Sequence, residues 1–291
     1  MSAVPPRLPD ARAAASLPGV SIEVIELMRS IGAAEATAAE ISAALSRDLT
    51  LTARVLKVVN SAYYGQSRTI ASVERAVVVL GFPAVRSIAM AAGCFRLRRM
   101  GSGVAGMTPE SLLSHGLAVA LASRQLARGR SGLCREEAFM AGLLHDFGLL
   151  LEMHGAPVEF AELTEQVAST AAPGPSAWLD LETERFGRSH GHSAATVFAE
   201  WRLPERIVGA VAAHHAPFAA DESLRELAAV VALADSLAAD AGLGFTGVSE
   251  PDMADDAVLE YLDFDWSERA ALQDGIRQEL NSLQGILGDE T

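Results

Sequence analysis

The sequence predicts an all-α fold, and three observations support this prediction. Apolar residues recur three positions apart, as at Ile22, Ile25 and Met28, which places their side chains on one face of a helix. Capping residues stand at the start of several such stretches, and few segments alternate between apolar and polar residues as a half-buried strand would. We therefore expect an N-terminal helical bundle followed by a second helical domain.

Polar residues at characteristic positions mark the first helices. Thr37 and Glu40 form a capping-box pattern, in which two side chains satisfy the free backbone N–H groups of a helix start. Asp48 is a suitable N-cap for the next helix, which should end near Asn60. Ser72 has the same role in front of the helix that follows.

Glycine and proline mark the later boundaries of this half. Gly81 should end a helix, and Pro83 should begin another that runs toward residue 100. Residues 1–16 contain three prolines and are expected to form a flexible tail. The Gly-rich stretch 101–106 is the expected domain boundary, so residues 17–105 should form the N-terminal helical subdomain.

The second half is also expected to be helical. A helix should begin at Thr108, and the apolar run 141–151 should form one helix that carries a polar pair in its middle. A later helix should reach His214. We expect residues 106–245 to form the second helical subdomain and residues 246–291 to form acidic C-terminal helices.

The composition indicates a folded globular chain outside the membrane. Half of the 291 residues are hydrophobic, which is ample material for a core. The apolar runs are much shorter than the roughly 20 residues that a membrane span requires, and no secretory leader opens the sequence. We therefore expect a cytoplasmic protein with no membrane partner, in which Cys94 and Cys134 are free thiols.

The charge distribution disfavours nucleic acid as a partner. Residues 1–150 carry 16 Lys and Arg against 11 Asp and Glu, whereas residues 151–291 carry 7 against 26. Phosphate binding needs clustered cations, which a chain with net charge −14 supplies poorly. The local basic stretch at Arg96, Arg98 and Arg99 leaves DNA binding as a third-ranked hypothesis.

Histidines and carboxylates in apolar surroundings predict a polar pocket. His145 and Asp146 interrupt an apolar run, and a buried imidazole or carboxylate must be hydrogen-bonded, paired or bound to an ion. Adjacent positions of a helix diverge by about 100°, so such a pair can ligate one ion or two neighbouring ions. The other candidates on separate predicted helices are His115, His214, His215 and Asp235. Imidazole and carboxylate without thiolate favour Fe, Mn, Zn or Mg.

At these positions the chain resembles the HDOD family, which comprises bacterial signalling domains related to the HD and HD-GYP metal-dependent phosphohydrolases. The resemblance spans roughly residues 17–240, and its motifs occur in the family's order. In the N-terminal part it rests on the segments 46–48, 56–65 and 76–81. In the C-terminal part it rests on the segments 141–148, 186–190, 201–204 and 207–215. The second subdomain is therefore expected to be HD-like.

The resemblance implies a ligand set for a divalent metal centre, mononuclear or dinuclear, with Fe, Mn or Zn favoured over Mg. Carried over by position, the ligands are His115, His145, Asp146, His190, His214, His215 and Asp235. His190 and His192 stand two positions apart and would diverge on a helix, so His192 is expected to be exposed. His154 is expected to be an ordinary surface residue.

Two departures from the related enzymes weigh against catalysis. The enzymes have a lysine four residues after the HD histidine, where this chain has Leu149, and no Gly-Tyr-Pro motif follows His215. The chain's single lysine, Lys57, lies in the other half. A side chain that could stabilise phosphate charge is therefore missing at this position.

The leading hypothesis is a regulatory module of bacterial signal transduction that acts through a protein partner and retains a metal centre. The alternative is a metal-dependent phosphohydrolase acting on cyclic di-GMP or another nucleotide, with Asp146 as the catalytic residue. Asn60, Ser61, Tyr63 and Tyr64 form either a surface for a partner or ligand, or a structural turn with buried tyrosines.

Overall fold

The computed structural model describes residues 22–66, 68–99, 103–104, 107–169, 177–243 and 255–288. Within these ranges the all-α prediction is confirmed, because there is no β-strand and the only β-type backbone pairing is an isolated bridge between Val104 and Met107. The predicted tail lies outside the described residues, as does most of the predicted boundary at 101–106.

Among the described residues of the N-terminal part there are five helices, and most of their starts follow the predicted caps. They are α1 (Ile22–Gly32), α2 (Ala38–Ser46), α3 (Leu49–Val59), α4 (Val73–Leu80) and α5 (Phe82–Cys94), followed by the short 3-10 helix Phe95–Arg99. Both bonds of the Thr37 capping box are present, and the Asp48 carboxylate accepts the backbone N–H of Leu51 at 2.9 Å. Gly81 separates α4 from α5 with φ of 86°, a backbone conformation that favours glycine.

The described portion of the part that contains the candidate site has eight further α-helices. They are α6 (Pro109–Leu126), α7 (Arg135–Leu144), α8 (Phe147–Gly155), α9 (Pro157–Ser169), α10 (Ala177–Phe186), α11 (His190–Glu200), α12 (Glu205–Ala213) and α13 (Glu222–Asp240). Helix α6 packs against α7 and α13, while α11 packs against α8 and α12. These packings bring the ends of several helices to one place.

The prediction of one helix over 141–151 was wrong in detail. Helix α7 ends at Leu144 and α8 begins at Phe147, with His145 and Asp146 in the turn between them. Asp146 has φ of −97° and ψ of 12°, which departs from helical geometry and redirects the chain. Helix α12 likewise ends before His214. These polar residues therefore project from helix ends, where a turn can aim adjacent side chains at one point.

The hydrophobic core is continuous between the two parts. Helix α5 packs against α7, and buried side chains from both parts belong to one cluster. Tyr63 and Tyr64 lie half-buried at this junction with their rings in edge contact, 4.7 Å between centroids. The Arg124 guanidinium donates to the Tyr63 hydroxyl and pairs with Glu136 at 2.9 Å. The two tyrosines therefore fit the interpretation as a structural turn.

The acidic C-terminal segment packs across both parts. It contains α14 (Asp256–Tyr261), the 3-10 helix Trp266–Glu268 and α15 (Arg269–Gly288). Helix α15 contacts α3, α6 and α13, and its buried residues are Ile276, Leu280, Leu283 and Leu287. Spacings of three and four residues give this helix a single apolar face. The segment therefore adds to the core instead of forming a separate unit.

Several smaller predictions can be compared with the structure. In the described part of the chain, no helix has the length and apolar character needed to cross a bilayer. Cys94 and Cys134 are free, as predicted. Arg96 pairs with Asp48, and Arg98 donates to the carbonyl of Gly288 at 2.9 Å. Two of the three arginines in the DNA-binding hypothesis are thus engaged within the chain.

Candidate metal centre

The structure brings all seven predicted ligands to one place. Three of them come from helices: His115 from the interior of α6, His190 from the first turn of α11 and Asp235 from α13. The other four occupy the turns that follow α7 and α12, and they are His145, Asp146, His214 and His215. Five elements thus contribute ligands. Packing of the helices brings together residues as far apart in the sequence as His115 and Asp235, which are separated by 120 positions.

Asp146 lies at the centre of this cluster. Its Oδ2 is 3.3 Å from His145 Nε2 and 4.0 Å from His115 Nε2. Its Oδ1 is 3.2 Å from His190 Nε2 and 3.8 Å from His214 Nε2. The two oxygens of one carboxylate therefore face different pairs of imidazoles.

The donor atoms fall into two groups, one of which includes Asp146 itself. The first group consists of Asp146, His190, His214 and His215, and the second consists of His115, His145 and Asp235. Within each group the ligand atoms lie within 4.8 Å of one another. Donor atoms at about 2.0–2.2 Å from a bound metal lie about 3–4 Å from one another. The spacing of the ligand atoms in both groups is therefore close to that around a bound metal ion. The arrangement can hold one or two ions, as the residue pattern predicted.

The Nδ1 atoms of the buried histidines are held from outside the cluster. His145 Nδ1 is 2.8 Å from the carbonyl of Gly142, His214 Nδ1 is 2.7 Å from that of Val211, and His115 Nδ1 is 3.1 Å from that of Leu243. A carbonyl oxygen only accepts, so each of these Nδ1 atoms carries the hydrogen. In the neutral rings the Nε2 lone pairs therefore face the centre, as metal ligation requires.

Two of these inward-facing atoms provide a test of fit. His145 Nε2 and His214 Nε2 are buried and have no hydrogen-bond partner. An unsatisfied buried polar atom costs about 1–3 kcal/mol. His145 Nε2 also faces Asp146 Oδ2 across 3.3 Å, and two acceptors at that distance require a cation or a proton between them. The residues present therefore fit a divalent cation.

The charges at the cluster are arranged to receive a cation. Burial opposes ionisation of Asp146, but His145 and His190 hold the pKa of this carboxyl well below its usual value. Burial and the neighbouring His215 lower the pKa of His214, so its ring is neutral. Burial alone would lower the pKa of His115, but its hydrogen bond with Asp235 at 2.8 Å raises that pKa to about 9. Without a metal, His115 Nε2 therefore carries a proton toward Asp235, and a metal ion that binds here must displace this proton.

The cluster is open to solvent on one side. His115, His145, His190 and His214 are buried, whereas His215 is exposed and the Asp235 side chain is 27% exposed. His215 Nε2 still approaches His190 Nε2 to 3.0 Å. A small ligand could therefore reach the centre from the side of His215 and Asp235.

The two histidines excluded from the ligand set lie outside the cluster. His192 is exposed, as predicted, and its Nδ1 contacts the Ser189 hydroxyl at 2.9 Å. His154 is half-buried in α8, where its Nδ1 bonds the carbonyl of Leu150 at 2.8 Å. Leu149, at the position of the enzymes' lysine, is only 4% exposed and belongs to the core.

Two buried glutamates beside the cluster were missed in the sequence. Glu182 is fully buried, with its Oε1 2.9 Å from His190 Nδ1 and its Oε2 2.9 Å from the backbone nitrogen of His190. Glu152 is also fully buried, and its Oε1 accepts from the Ser193 hydroxyl at 3.4 Å. Burial and the charge of Glu182 raise the pKa of Glu152 well above its usual value. Glu152 interrupts an apolar run as His145 does, which was a usable signal. Glu182 stands in a charged stretch and offered none.

The sequence family of the chain is shown by comparison with known proteins. The model of the HDOD domain family matches residues 15–217, which is more than half of the chain. The chain therefore belongs to the HDOD family, and the resemblance inferred from the motifs is confirmed.

Individual relatives agree with this assignment. A crystal structure of an HDOD domain protein of unknown function from Geobacter sulfurreducens has 25% sequence identity and a TM-score of 0.73, covering 95% of this chain and 96% of that one. A provisionally assigned phosphohydrolase of Shewanella amazonensis SB2B shares the fold at 24% identity and a TM-score of 0.70, covering 95% and 98%.

A longer relative matches part of its own length. An uncharacterized protein of Treponema pallidum (strain Nichols) is 26% identical over 220 residues, covering 75% of this chain and 41% of that protein. The chain thus spans about two fifths of the length of this curated relative.

Proposed function

We propose that this HDOD chain is a regulatory module of bacterial signal transduction that acts through contacts with a protein partner and carries a divalent metal centre. The observation that supports the metal centre is the convergence of seven ligand-type side chains, in which two buried Nε2 atoms have no hydrogen-bond partner. Family membership supports the regulatory role.

The proposed ligands are those that the sequence analysis named: His115, His145, Asp146, His190, His214, His215 and Asp235. The donor set is imidazole and carboxylate, which favours Fe, Mn or Zn, while Mg would prefer more oxygen donors. The helix-end carbonyls keep the Nε2 atoms of His145 and His214 directed inward. Such pre-orientation reduces the reorganisation that binding would otherwise require.

A second candidate function, metal-dependent phosphohydrolase acting on cyclic di-GMP or another nucleotide, is favoured by one observation. The cluster is accessible from the side of Asp235 and His215, as a substrate site must be. A bound divalent ion would supply Lewis-acid activation of water. Asp146 is the catalytic candidate, because its carboxylate faces both groups of ligands. The buried Leu149 offers no cation to a phosphate, which places this function second.

The metal content of the purified protein tests the proposal. After loading with Mn²⁺, Fe²⁺ or Zn²⁺ and removal of excess ion, elemental analysis should find bound metal in the wild type. His145→Ala and Asp146→Ala should each lose at least about tenfold in affinity, because ligands contribute no less than their supporting residues. His192→Ala is the matched control, since this exposed histidine lies two positions from His190 and should retain full binding.

The same preparations separate the two functions. Each is assayed with cyclic di-GMP and with bis(p-nitrophenyl) phosphate as a generic phosphodiester. Bound metal without turnover supports the regulatory module. Turnover that disappears in His145→Ala and Asp146→Ala but persists in His192→Ala establishes the hydrolase, and a wild type that binds no metal refutes the metal centre.

A further inference from the structure

We infer that Glu182 is a positioning residue for His190 and that Glu152 holds Glu182 in place. This inference rests on the proposed metal centre and adds to it two residues that contact no ion themselves. Both glutamates are fully buried, whereas most of the other acidic residues that the structure describes lie at the surface. Burying two carboxyl groups is costly, so their retention calls for specific partners.

Both side-chain oxygens of Glu182 accept hydrogen bonds, which requires a carboxylate. His190 directs two donors at it, the backbone N–H to Oε2 at 2.9 Å and the Nδ1–H to Oε1 at 2.9 Å. The indole N–H of Trp178 adds a third donor to Oε1 at 3.3 Å. A glutamine here would present its own NH₂ group to one of these donors, so the amide cannot replace the carboxylate.

The consequence for His190 is a fixed ring orientation. The backbone N–H of His190 is one of the free donors at the start of α11, so the same glutamate caps the helix and holds the ring on it. With Nδ1 committed to Glu182, Nε2 points to Asp146 Oδ1 at 3.2 Å. The other buried ligands use backbone carbonyls for this purpose, and His190 uses a charged side chain, which also makes the ring a stronger donor to a metal.

Glu152 is placed to complete the pair as a hydrogen-bond donor to Glu182, because its buried Oε2 has no other hydrogen-bond partner. Two carboxyl groups in contact cannot both be ionised in a buried site, so one of them keeps its proton. Burial and the charge of Glu182 raise the pKa of Glu152 well above its usual value, whereas His190 holds that of Glu182 below it despite burial. The Glu152 carboxyl also accepts from the Ser193 hydroxyl at 3.4 Å. A glutamine at position 152 could make both bonds, because it has one donor and one acceptor.

The test compares Mn²⁺ affinity and stoichiometry, measured by titration, in wild type and variants of the full chain. Glu182→Gln should bind Mn²⁺ about 10–100-fold more weakly, the range found when supporting partners of metal ligands are removed. Glu152→Gln should bind as the wild type does, while Glu152→Met, which cannot donate, should bind about tenfold more weakly. Glu136→Gln is the control, because it removes a carboxylate that pairs with Arg124 and contacts none of the ligands.

Two outcomes distinguish this inference from the metal centre on which it rests. If Glu182→Gln binds Mn²⁺ as the wild type does while His190→Ala binds it weakly, the positioning role is wrong and the metal centre stands. If wild type and His190→Ala behave alike, the centre itself is wrong and the inference falls with it. Melting temperatures in EDTA identify any variant that is merely unfolded.

A readout that needs no variant complements the titrations. In ¹⁵N NMR spectra of the metal-free wild type, Nδ1 of His190 should carry a hydrogen, because it donates to Glu182. An Nδ1 without hydrogen would overturn the inference even if every variant failed to fold.

Discussion

Gly148 shows how one residue sets the geometry beside the cluster. A Cβ atom at this position would lie 2.0 Å from the carbonyl oxygen of His190 and 2.7 Å from its Cα. These are backbone atoms, which cannot rotate away as a side chain would. Helix α8 and the start of α11 can therefore approach this closely only because residue 148 has no side chain.

We predict that Gly148→Ala separates α8 from α11 and displaces His190. The free energy of unfolding should fall by about 1–3 kcal/mol, the usual cost of overpacking, and metal affinity should fall with it. Gly285→Ala is the control, since no atom lies within 4 Å of a Cβ there and alanine favours a helix by about 0.5–1 kcal/mol. Urea denaturation of the metal-free proteins measures the stability change of each variant. A Gly148→Ala variant as stable as the wild type would contradict the close-contact explanation.

At the scale of elements, the C-terminal helix α15 joins parts of the fold that are distant in sequence. Its apolar face packs on α3 and α6, and polar side chains in its N-terminal half bond to backbone carbonyls at the end of α13. Arg277 donates to the carbonyl of Ala241 at 2.8 Å, and Gln273 donates to that of Leu237 at 3.0 Å. The helix therefore supports α13, which carries Asp235.

We predict that Ile276→Ala lowers the free energy of unfolding by about 2–5 kcal/mol, because the side chain is fully buried and its removal leaves a cavity. Gln278→Ala, on the exposed face of the same helix, should change stability by less than about 0.5 kcal/mol. Thermal and urea unfolding give both values. A small effect of Ile276→Ala would mean that α15 is only loosely attached.

At the scale of the whole molecule, a half-buried polar cluster links the N-terminal part to the part that holds the candidate site. Arg124 lies on α6, and its guanidinium is 5.2 Å from the centroid of the Tyr63 ring and 5.4 Å from that of Tyr64. The tyrosines follow α3, and Glu136 belongs to α7. Burial raises the pKa of both tyrosines, so they remain neutral hydroxyl partners of the cation.

We predict that Tyr63 and Arg124 are energetically coupled across this junction. Tyr63→Phe removes the hydroxyl that accepts from Arg124, and Arg124→Lys removes the planar group that reaches Tyr63 and Glu136 together. Each variant should lose about 1–3 kcal/mol, and the double variant should lose less than the sum, by at least about 0.5 kcal/mol. A double-mutant cycle from urea denaturation measures the coupling, and strict additivity would contradict it.

The sequence predicted those features that depend on local signals or on family motifs. The caps at Thr37 and Asp48 are confirmed because their hydrogen bonds span only three residues. The break at His145 and Asp146 was missed because helix-forming apolar residues stand on both sides, and the turn is imposed by packing against distant helices. Glu182 was missed because its role depends on burial, which a charged stretch does not reveal.

The position of Asp235 bears on how this domain is delimited. The family match stops at residue 217, whereas the last carboxylate of the cluster comes from α13, and the carbonyl that orients His115 belongs to Leu243. A fragment that ends at residue 217 would retain six of the seven proposed ligands. It would lack Asp235, and it would also lack Leu243, whose carbonyl orients His115. Domain borders taken from motif matches alone would thus leave out part of the proposed metal site.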